Sequence, residues 1–138
     1  MNEDCIFCKI VSGEIPSTQV YEDERFFAFM DIYPGGRGHF MLVPKAHHQD
    51  LEAMPDDLLS QVLPLARKLA AAAVEGLGAE GLNLVQSNGR AATQLIPHFH
   101  LHFFPRWTDD GTKVAVWDSA PGDMDRIAED AERIRAAL

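Results

Sequence analysis

One short segment of the chain, residues 94–106, constrains the fold more than any other feature. Histidines and apolar residues alternate there in the order His98, Phe99, His100, Leu101, His102 and Phe103. In a β-strand, residues two apart share one face and successive residues point to opposite faces. The spacing therefore predicts a strand over about 94–104 whose apolar side chains face the core and whose three imidazoles share the other face.

Two kinds of chemistry suit a row of imidazoles. One is a metal site, but the outer histidines are roughly 13 Å apart at Cα in a strand, which disfavours a single ion bound by all three rings. The other is phosphate chemistry, in which one imidazole is a nucleophile and its neighbours donate to phosphate oxygens. A half-exposed strand with incidental histidines is the plain structural alternative. The flanking Pro97, Pro105 and Arg106 favour phosphate chemistry.

Alternation and turn residues elsewhere predict further strands over about 19–22, 25–31, 39–44 and 82–87. The 3.6-residue spacing of apolar side chains predicts one long helix over 55–76, which Pro64 should kink or split and Gly76 should cap. A C-terminal amphipathic helix is predicted over 122–138. Short turns between strands favour an α+β fold class, with an antiparallel sheet of about five strands, one long helix and a C-terminal helix.

Length and charge narrow the possible functions. The 138 residues predict a single domain over 1–138, and the formal net charge of −9 disfavours nucleic acid as a partner. No apolar run approaches the roughly 20 residues of a membrane span, and no secretory signal pattern is evident, so we expect a cytoplasmic protein that does not bind membranes. The two cysteines, Cys5 and Cys8, form a C-x-x-C motif that suggests metal or redox chemistry.

The run Q-L-I-P-H-F-H-L-H-F-F-P-R also resembles the signature of the histidine triad (HIT) superfamily, H-φ-H-φ-H-φ-φ with φ apolar. The stretch from Cys5 to His47 and the loop N-G-R-A-A-T-Q extend the resemblance over nearly the whole chain. The P-R-W sequence and Trp117 are most similar to bacterial HIT hydrolases of the nucleoside phosphoramidase-like branch. The resemblance implies an enzyme that attacks the α-phosphate of a purine nucleotide derivative through a nucleotidyl-histidine intermediate, with nucleoside 5′-phosphoramidates as the first expected substrates.

The resemblance implies a catalytic role for four residues. His100 would attack phosphorus and His102 would donate to the phosphate oxygens. His39 would be a polar neighbour of the reacting histidine, although it also suits a sheet edge. Gln94 would contact the leaving-group side.

A nucleotide-binding set is implied as well, comprising Phe7, Ile10, Ile15, Phe29, Asp31, Ile32, Met41, Ser87 and Asn88. Asp31 would accept hydrogen bonds from the ribose hydroxyls, and Ser87 or Asn88 would touch the phosphates. The apolar members would line a base pocket, although core packing explains them equally simply. Turn formation is the alternative for Asp31 and Asn88.

Two positions depart from the family pattern. Many relatives have Gly at Thr93, and the phosphoramidase branch has Ser at Leu95, where it is associated with the leaving group. The departure weakens the transfer of phosphoramidase specificity. Hydrolysis of dinucleoside polyphosphates and a non-catalytic nucleotide-binding sensor therefore remain as alternatives.

Zinc-containing relatives imply a metal site and give the two cysteines partners. The implied ligands are Cys5, Cys8, His47 and His98, with His48 as an alternative to His47. Thiolates and imidazoles suit zinc, and a closed set of four would be structural rather than catalytic. The resemblance further implies a homodimer.

Overall fold

The computed structural model describes residues 2–114 and 118–138, so Trp117 lies outside the described residues. Its strands are β1 (Gln19–Glu22), β2 (Phe26–Met30), β3 (Phe40–Pro44), β4 (Gly81–Gln86) and β5 (Leu101–Arg106). Its helices are α1 (Ile6–Val11), α2 (Asp56–Leu59), α3 (Val62–Leu77) and α4 (Met124–Ala137), with a 3₁₀ turn at Arg90–Ala92. The strands form one antiparallel sheet of five strands, as the sequence predicts, and their order in the sheet is β1-β2-β3-β5-β4.

The central strands are covered on both faces, which explains their continuous apolar runs. On one face, α2 and α3 pack against a cluster that includes Phe26, Phe40, Leu42, Leu58, Leu69, Phe99, Leu101 and Phe103. On the other face, the N-terminal segment and α1 pack over a smaller cluster of Cys5, Phe7, Cys8, Phe27, Phe29, Met41 and Val43. The functional groups described below lie on this second face.

The predicted alternation around the histidines is confirmed. Phe99, Leu101 and Phe103 are buried on the helix side of the sheet, whereas the rings of His98 and His100 contact Phe7 on the opposite side. The predicted start of this strand at 94 is wrong, because β5 begins only at Leu101.

The main chain just before β5 forms hydrogen bonds outside the sheet. The Phe99 N–H donates to the carbonyl of His48 at 2.6 Å, and the His98 N–H donates to the carbonyl of Ile96 at 2.8 Å. Pro97 has no N–H to give to a ladder. Because of these contacts, residues 94–100 do not pair with a neighbouring strand. Phe99 nevertheless faces the helix side of the sheet, and His98 and His100 face the opposite side.

The predicted helix over 55–76 is two helices, α2 and α3, and the break falls at Ser60 and Gln61. Pro64 lies in the first turn of α3, where its missing N–H would have no helical partner in any case. The predicted cap at Gly76 is wrong, because α3 continues to Leu77. Gly78 ends the helix instead, in the left-handed conformation with φ 65° that favours glycine.

The C-terminal helix α4 forms where the sequence predicts it. Asp123 caps its start by accepting hydrogen bonds from the N–H groups of Asp125 and Arg126. Met124 and Ile134 are 73% and 65% exposed, so the apolar side of α4 is open to solvent. Among the described residues, the helices are too short or too polar to cross a lipid bilayer.

Candidate functional site

A cavity of about 420 Å³ opens on the face of the sheet that carries the histidines. Its volume is within the range of small-molecule sites, roughly 300–1,000 Å³. Apolar side chains from α1, β2 and β3 form much of its wall, including Phe7, Ile10, Phe29 and Met41. His100 and His102 line the same cavity and bring polar nitrogens to an otherwise largely apolar surface.

His100 is oriented by the main chain. Its Nδ1 lies 2.7 Å from the carbonyl oxygen of His98, which can only accept, so Nδ1 carries the ring proton. Nε2 is left with a free lone pair. Burial lowers the pKa of His100 below its ordinary value, despite the opposing effect of this hydrogen bond. At neutral pH the ring is therefore uncharged, with a lone pair on Nε2 that could act as a nucleophile.

A chain of hydrogen bonds fixes the proton of His102. The Gly35 N–H donates to Nδ1 of His39 at 3.0 Å, so neutral His39 carries its proton on Nε2. That Nε2 lies 2.9 Å from Nδ1 of His102 and donates to it. The remaining nitrogen of His102, Nε2, consequently bears a proton and is a hydrogen-bond donor.

Burial also keeps these two rings uncharged. It is the largest cause of the lowered pKa of His39 and of the pKa of about 4 for His102. The neighbouring imidazoles of His100 and His39 lower the pKa of His102 further. The ring of Phe104 stacks on His39 with centroids 4.1 Å apart and shields it from water.

Asp31 follows β2 and lines the cavity beside this chain of rings. Its Oδ1 accepts a hydrogen bond from the Tyr33 N–H at 2.8 Å. Its Oδ2 lies 3.6 Å from Nδ1 of His39. The carboxylate is thus held at the cavity wall with acceptor capacity left for a ligand hydroxyl.

Most of the predicted nucleotide-binding residues line the cavity. They are Phe7, Ile10, Ile15, Phe29, Asp31, Ile32 and Met41. Thr93 and Leu95, the two departures from the family pattern, also line it. The sequence reasoning missed further lining residues, namely Ile6, Pro16, Ser17, Met30, Tyr33 and Ile96. Several of these are immediate neighbours of predicted residues, and this adjacency is the signal that would have found them.

Four of the predicted catalytic and nucleotide-binding residues lie outside the cavity lining, namely His39, which bonds to His102 from behind, and Gln94, Asn88 and Ser87. The amide of Gln94 accepts from the Gly89 N–H at 2.8 Å and donates to the Gln49 carbonyl at 2.7 Å. Asn88 Oδ1 accepts from the Leu51 N–H at 2.8 Å. Ser87, which adjoins Asn88, is likewise outside the lining. Gln94 and Asn88 therefore tie the loop before the histidines to residues 49–51.

A second group of side chains lies next to His100. Cys5, Cys8, His47 and His98 place their ligand atoms within 4.8 Å of one another, whereas His48 is not part of the group. His98 donates from Nε2 to the carbonyl of Pro44 at 2.8 Å, which leaves Nδ1 as the nitrogen that faces the sulfurs. The four residues can hold a metal ion.

The spacing of this group fits a tetrahedral ion. Nδ1 of His98 lies 3.5 Å from the Cys5 sulfur and 3.6 Å from the Cys8 sulfur, and Nδ1 of His47 lies 3.4 Å from the Cys8 sulfur. Tetrahedral zinc with bonds of roughly 2.3 Å to sulfur and 2.1 Å to nitrogen would separate such ligands by roughly 3.6 Å. The donor set and its spacing both agree with a zinc site.

Comparison with known proteins decides the family. The model of the HIT domain matches residues 12–109. The chain belongs to the HIT family. The match includes the whole cavity wall contributed by β2, β3 and the histidine segment.

HIT relatives extend over most of the chain. The adenosine 5′-monophosphoramidase HNT1 of Candida albicans is 37% identical over 142 residues, covering 97% of this chain and 91% of the relative. The adenylylsulfatase HINT3 of Arabidopsis thaliana is 36% identical over 106 residues, covering 77% of this chain and 54% of the relative. By name, both are enzymes of adenosine nucleotides, and the similarity supports a nucleotide hydrolase activity.

The same fold occurs in solved HIT structures. A HIT family protein from Bacillus anthracis superposes with a TM-score of 0.86 at 36% identity, covering 100% of this chain and 99% of that one. This similarity confirms the predicted α+β fold of the HIT type.

Proposed function

We propose that this HIT protein hydrolyses purine nucleotide derivatives at the α-phosphate, with nucleoside 5′-phosphoramidates as its first substrates. The observation that carries the proposal is the orientation of His100. Its Nδ1–H is bound to the His98 carbonyl, so the lone pair of Nε2 is available in a cavity sized for a nucleotide. The name of the Candida albicans relative supports the choice of phosphoramidates.

The reaction divides into two displacements at phosphorus. In the first, the Nε2 lone pair of His100 forms a bond to the α-phosphorus, and the bond from phosphorus to the leaving nitrogen breaks with its electron pair. The leaving amine takes a proton from a water molecule. In the second, the remaining hydroxide attacks phosphorus and His100 regains its lone pair. One water is consumed, its proton going to the amine and its hydroxyl to the nucleoside monophosphate.

The neighbours of His100 assist this chemistry without changing charge. His102 donates from Nε2 to a phosphate oxygen, where negative charge increases during the displacement. His39 keeps His102 in the required tautomer through their 2.9 Å hydrogen bond. Asp31 accepts hydrogen bonds from the ribose, and the apolar wall contacts the purine.

The cysteine and histidine group would hold a structural Zn²⁺. Bound zinc would cross-link the N-terminal segment, the segment at His47 and the start of the histidine segment. All four ligand positions would be filled by protein, so the ion would take no part in the displacement.

We further propose that the chain forms a homodimer and functions in the cytoplasm, without nucleic-acid or membrane partners. The dimer is supported by the outer edge of β4, which among the described residues pairs only with β5. Leu84 on that strand is 40% exposed. A second copy would cover this edge. Light scattering of the purified protein tests the dimer, and a monomer at micromolar concentration would contradict it.

Trapping the intermediate tests the proposed activity. We expect an acid-quenched reaction with adenosine 5′-phosphoramidate to show protein carrying an added adenylyl group by intact mass, and His100→Asn to show none. Turnover of diadenosine tetraphosphate is measured in parallel. Faster turnover of that compound would favour the polyphosphate hydrolase, and nucleotide binding without any turnover would favour the sensor.

A further inference from the structure

We infer that a second cavity of the protein is a binding site for an aliphatic monocarboxylate. This cavity has a volume of about 600 Å³, and Phe40 and Leu69 of the apolar cluster on the helix side of the sheet form part of its wall. Among the described residues, Met30 alone lines both this cavity and the one at His100. The second cavity therefore lies on the opposite face of the sheet from the proposed reaction and is independent of it. We call it the helix-side groove, and its residues include Val20, Tyr21, Lys68, Ala72, Ala73 and Gly76.

Small residues near the end of α3 leave the helix-side groove open. Leu69 is buried against the sheet. Gly76 comes seven residues later, which is about two helical turns, so it lies on the same side of α3 as Leu69. Ala72 and Ala73 lie between them on this side. The stripe that begins with a large side chain thus continues without one, and a Cβ at position 76 would meet no atom within 4 Å.

The wall of the groove suits an alkyl chain. Val20, Met30 and Leu77 add aliphatic side chains to those of α3, and no acidic side chain of the described residues lines the groove. Val20 is 43% exposed. An alkyl chain in the groove would remove such surface from water, which is favourable in proportion to the area covered.

Lys68 supplies a positive charge at the groove. Its Nζ lies 5.2 Å from the centre of the Tyr21 ring, so the ammonium is held over an aromatic face that lines the groove. Within residues 2–114 and 118–138, Lys68 forms neither an ion pair nor a side-chain hydrogen bond. Its three N–H donors are therefore open to the carboxylate of a ligand.

The acidic side chains that follow Tyr21 in the sequence do not occupy this charge. Glu22 pairs with Lys45 at 2.7 Å and lines a different cavity. Asp23 accepts hydrogen bonds from the Tyr21 hydroxyl at 2.9 Å and from two main-chain N–H groups. The whole chain has a formal net charge of −9, so an anion that binds here depends on the local charge of Lys68.

Octanoate and 1-octanol test the inference, because they share an alkyl chain and differ in charge. Each is titrated into the full-length protein with ¹³C-labelled methyl groups, and the methyl signals are followed by NMR. We expect saturable shifts for Ala72, Ala73 and Leu77, whereas Ile15 and Ile96, which line only the other cavity, should not shift. Octanoate should bind about fivefold more tightly than octanol, the upper end of the contribution of an exposed ion pair.

Two pairs of variants separate charge from space. Lys68→Met removes the ammonium and retains an apolar stem, so the affinity for octanoate should fall to that for octanol, whereas Lys68→Arg should keep the difference. Gly76→Leu would fill the groove and should weaken the binding of both compounds by about tenfold or more. The matched control Gly76→Ala adds little volume and should change both affinities by less than about threefold.

Each contrary result has a definite meaning. Shifts of Ile15 and Ile96 in place of the groove methyls would put octanoate in the cavity at His100 and overturn the inference. Equal affinities of the wild type for octanoate and octanol, or an unchanged difference in Lys68→Met, would refute a site for an anion. Absence of shifts with both compounds would also overturn it, and a lower molecular mass of Gly76→Leu by light scattering would then assign the groove to a contact between copies.

Discussion

Replacing His39 by leucine tests whether its hydrogen bond fixes the proton that His102 is proposed to direct at the phosphate. The change removes the Nε2–H that lies 2.9 Å from Nδ1 of His102, together with the acceptor for the Gly35 N–H. His102 would then be free to place its proton on Nδ1 and to rotate. Fewer molecules would have an N–H directed at the phosphate.

The expected loss follows from the hydrogen bond itself. A buried acceptor left without its donor is destabilised by about 1–3 kcal/mol. If the transition state carries this loss and the ground state does not, kcat falls roughly 5- to 150-fold, since each 1.36 kcal/mol changes a rate tenfold. His102 is partly exposed, so water restores some of the loss and we expect about tenfold.

The matched variant is His39→Gln, whose side-chain amide can accept from Gly35 and donate to His102. We expect the kcat of His39→Gln to stay within about threefold of wild type. In both variants KM should change by less than about twofold, because His39 does not line the cavity. Single-turnover kinetics with adenosine 5′-phosphoramidate measure the first displacement directly. Equal losses in the leucine and glutamine variants would refute the role of this hydrogen bond.

Three further predictions follow from the same site. Asp31→Asn should raise KM about tenfold, because the binding free energy loses one hydrogen bond to a charged group, while kcat changes by less than about threefold. In steady-state assays, a loss confined to kcat would contradict ribose binding by Asp31. Burial gives His102 a pKa of about 4 in the folded protein, against an ordinary value of 6.5, so the unfolded chain takes up a proton first as the pH falls. The melting temperature measured by calorimetry should therefore decrease between pH 6.5 and pH 4. An unchanged melting temperature over this range would argue against a buried neutral ring. Protein purified without chelators should contain one zinc ion per chain by mass spectrometry. Cys8→Ser should lose this zinc and unfold at a lower temperature. Equal zinc content in the two proteins would refute the proposed zinc site.

The sequence predicts the sheet well because side-chain direction in a strand has a fixed period. Phe99, Leu101 and Phe103 must share one face whatever their hydrogen bonds are, and this fixes which side of the sheet receives the imidazoles. Asp31 and the aromatic Phe29 come to the cavity because they are at the end of a strand that pairs directly with β3. Their places follow from strand order and register.

What the sequence does not predict depends on contacts between distant segments. The start of β5 is set by the bond from the Phe99 N–H to His48, 51 positions earlier. Gln94 and Asn88 have amides that suit a phosphate and a main-chain group equally well, and only the folded loop shows that they meet the main chain. Pro64 predicts a break in the long helix but not its exact position, which falls one turn earlier at Ser60 and Gln61.

His98 links the two groups of histidines through different parts of one residue. Its ring faces the thiols of Cys5 and Cys8, while its carbonyl accepts the hydrogen bond that orients His100, the proposed nucleophile. The Nε2–H of the same ring donates to the carbonyl of Pro44, so the side chain of His98 is held at both of its nitrogens. Loss of the thiols would therefore remove one of the two contacts that hold this ring, and the hydrogen bond to Pro44 alone would then fix the residue whose carbonyl orients His100.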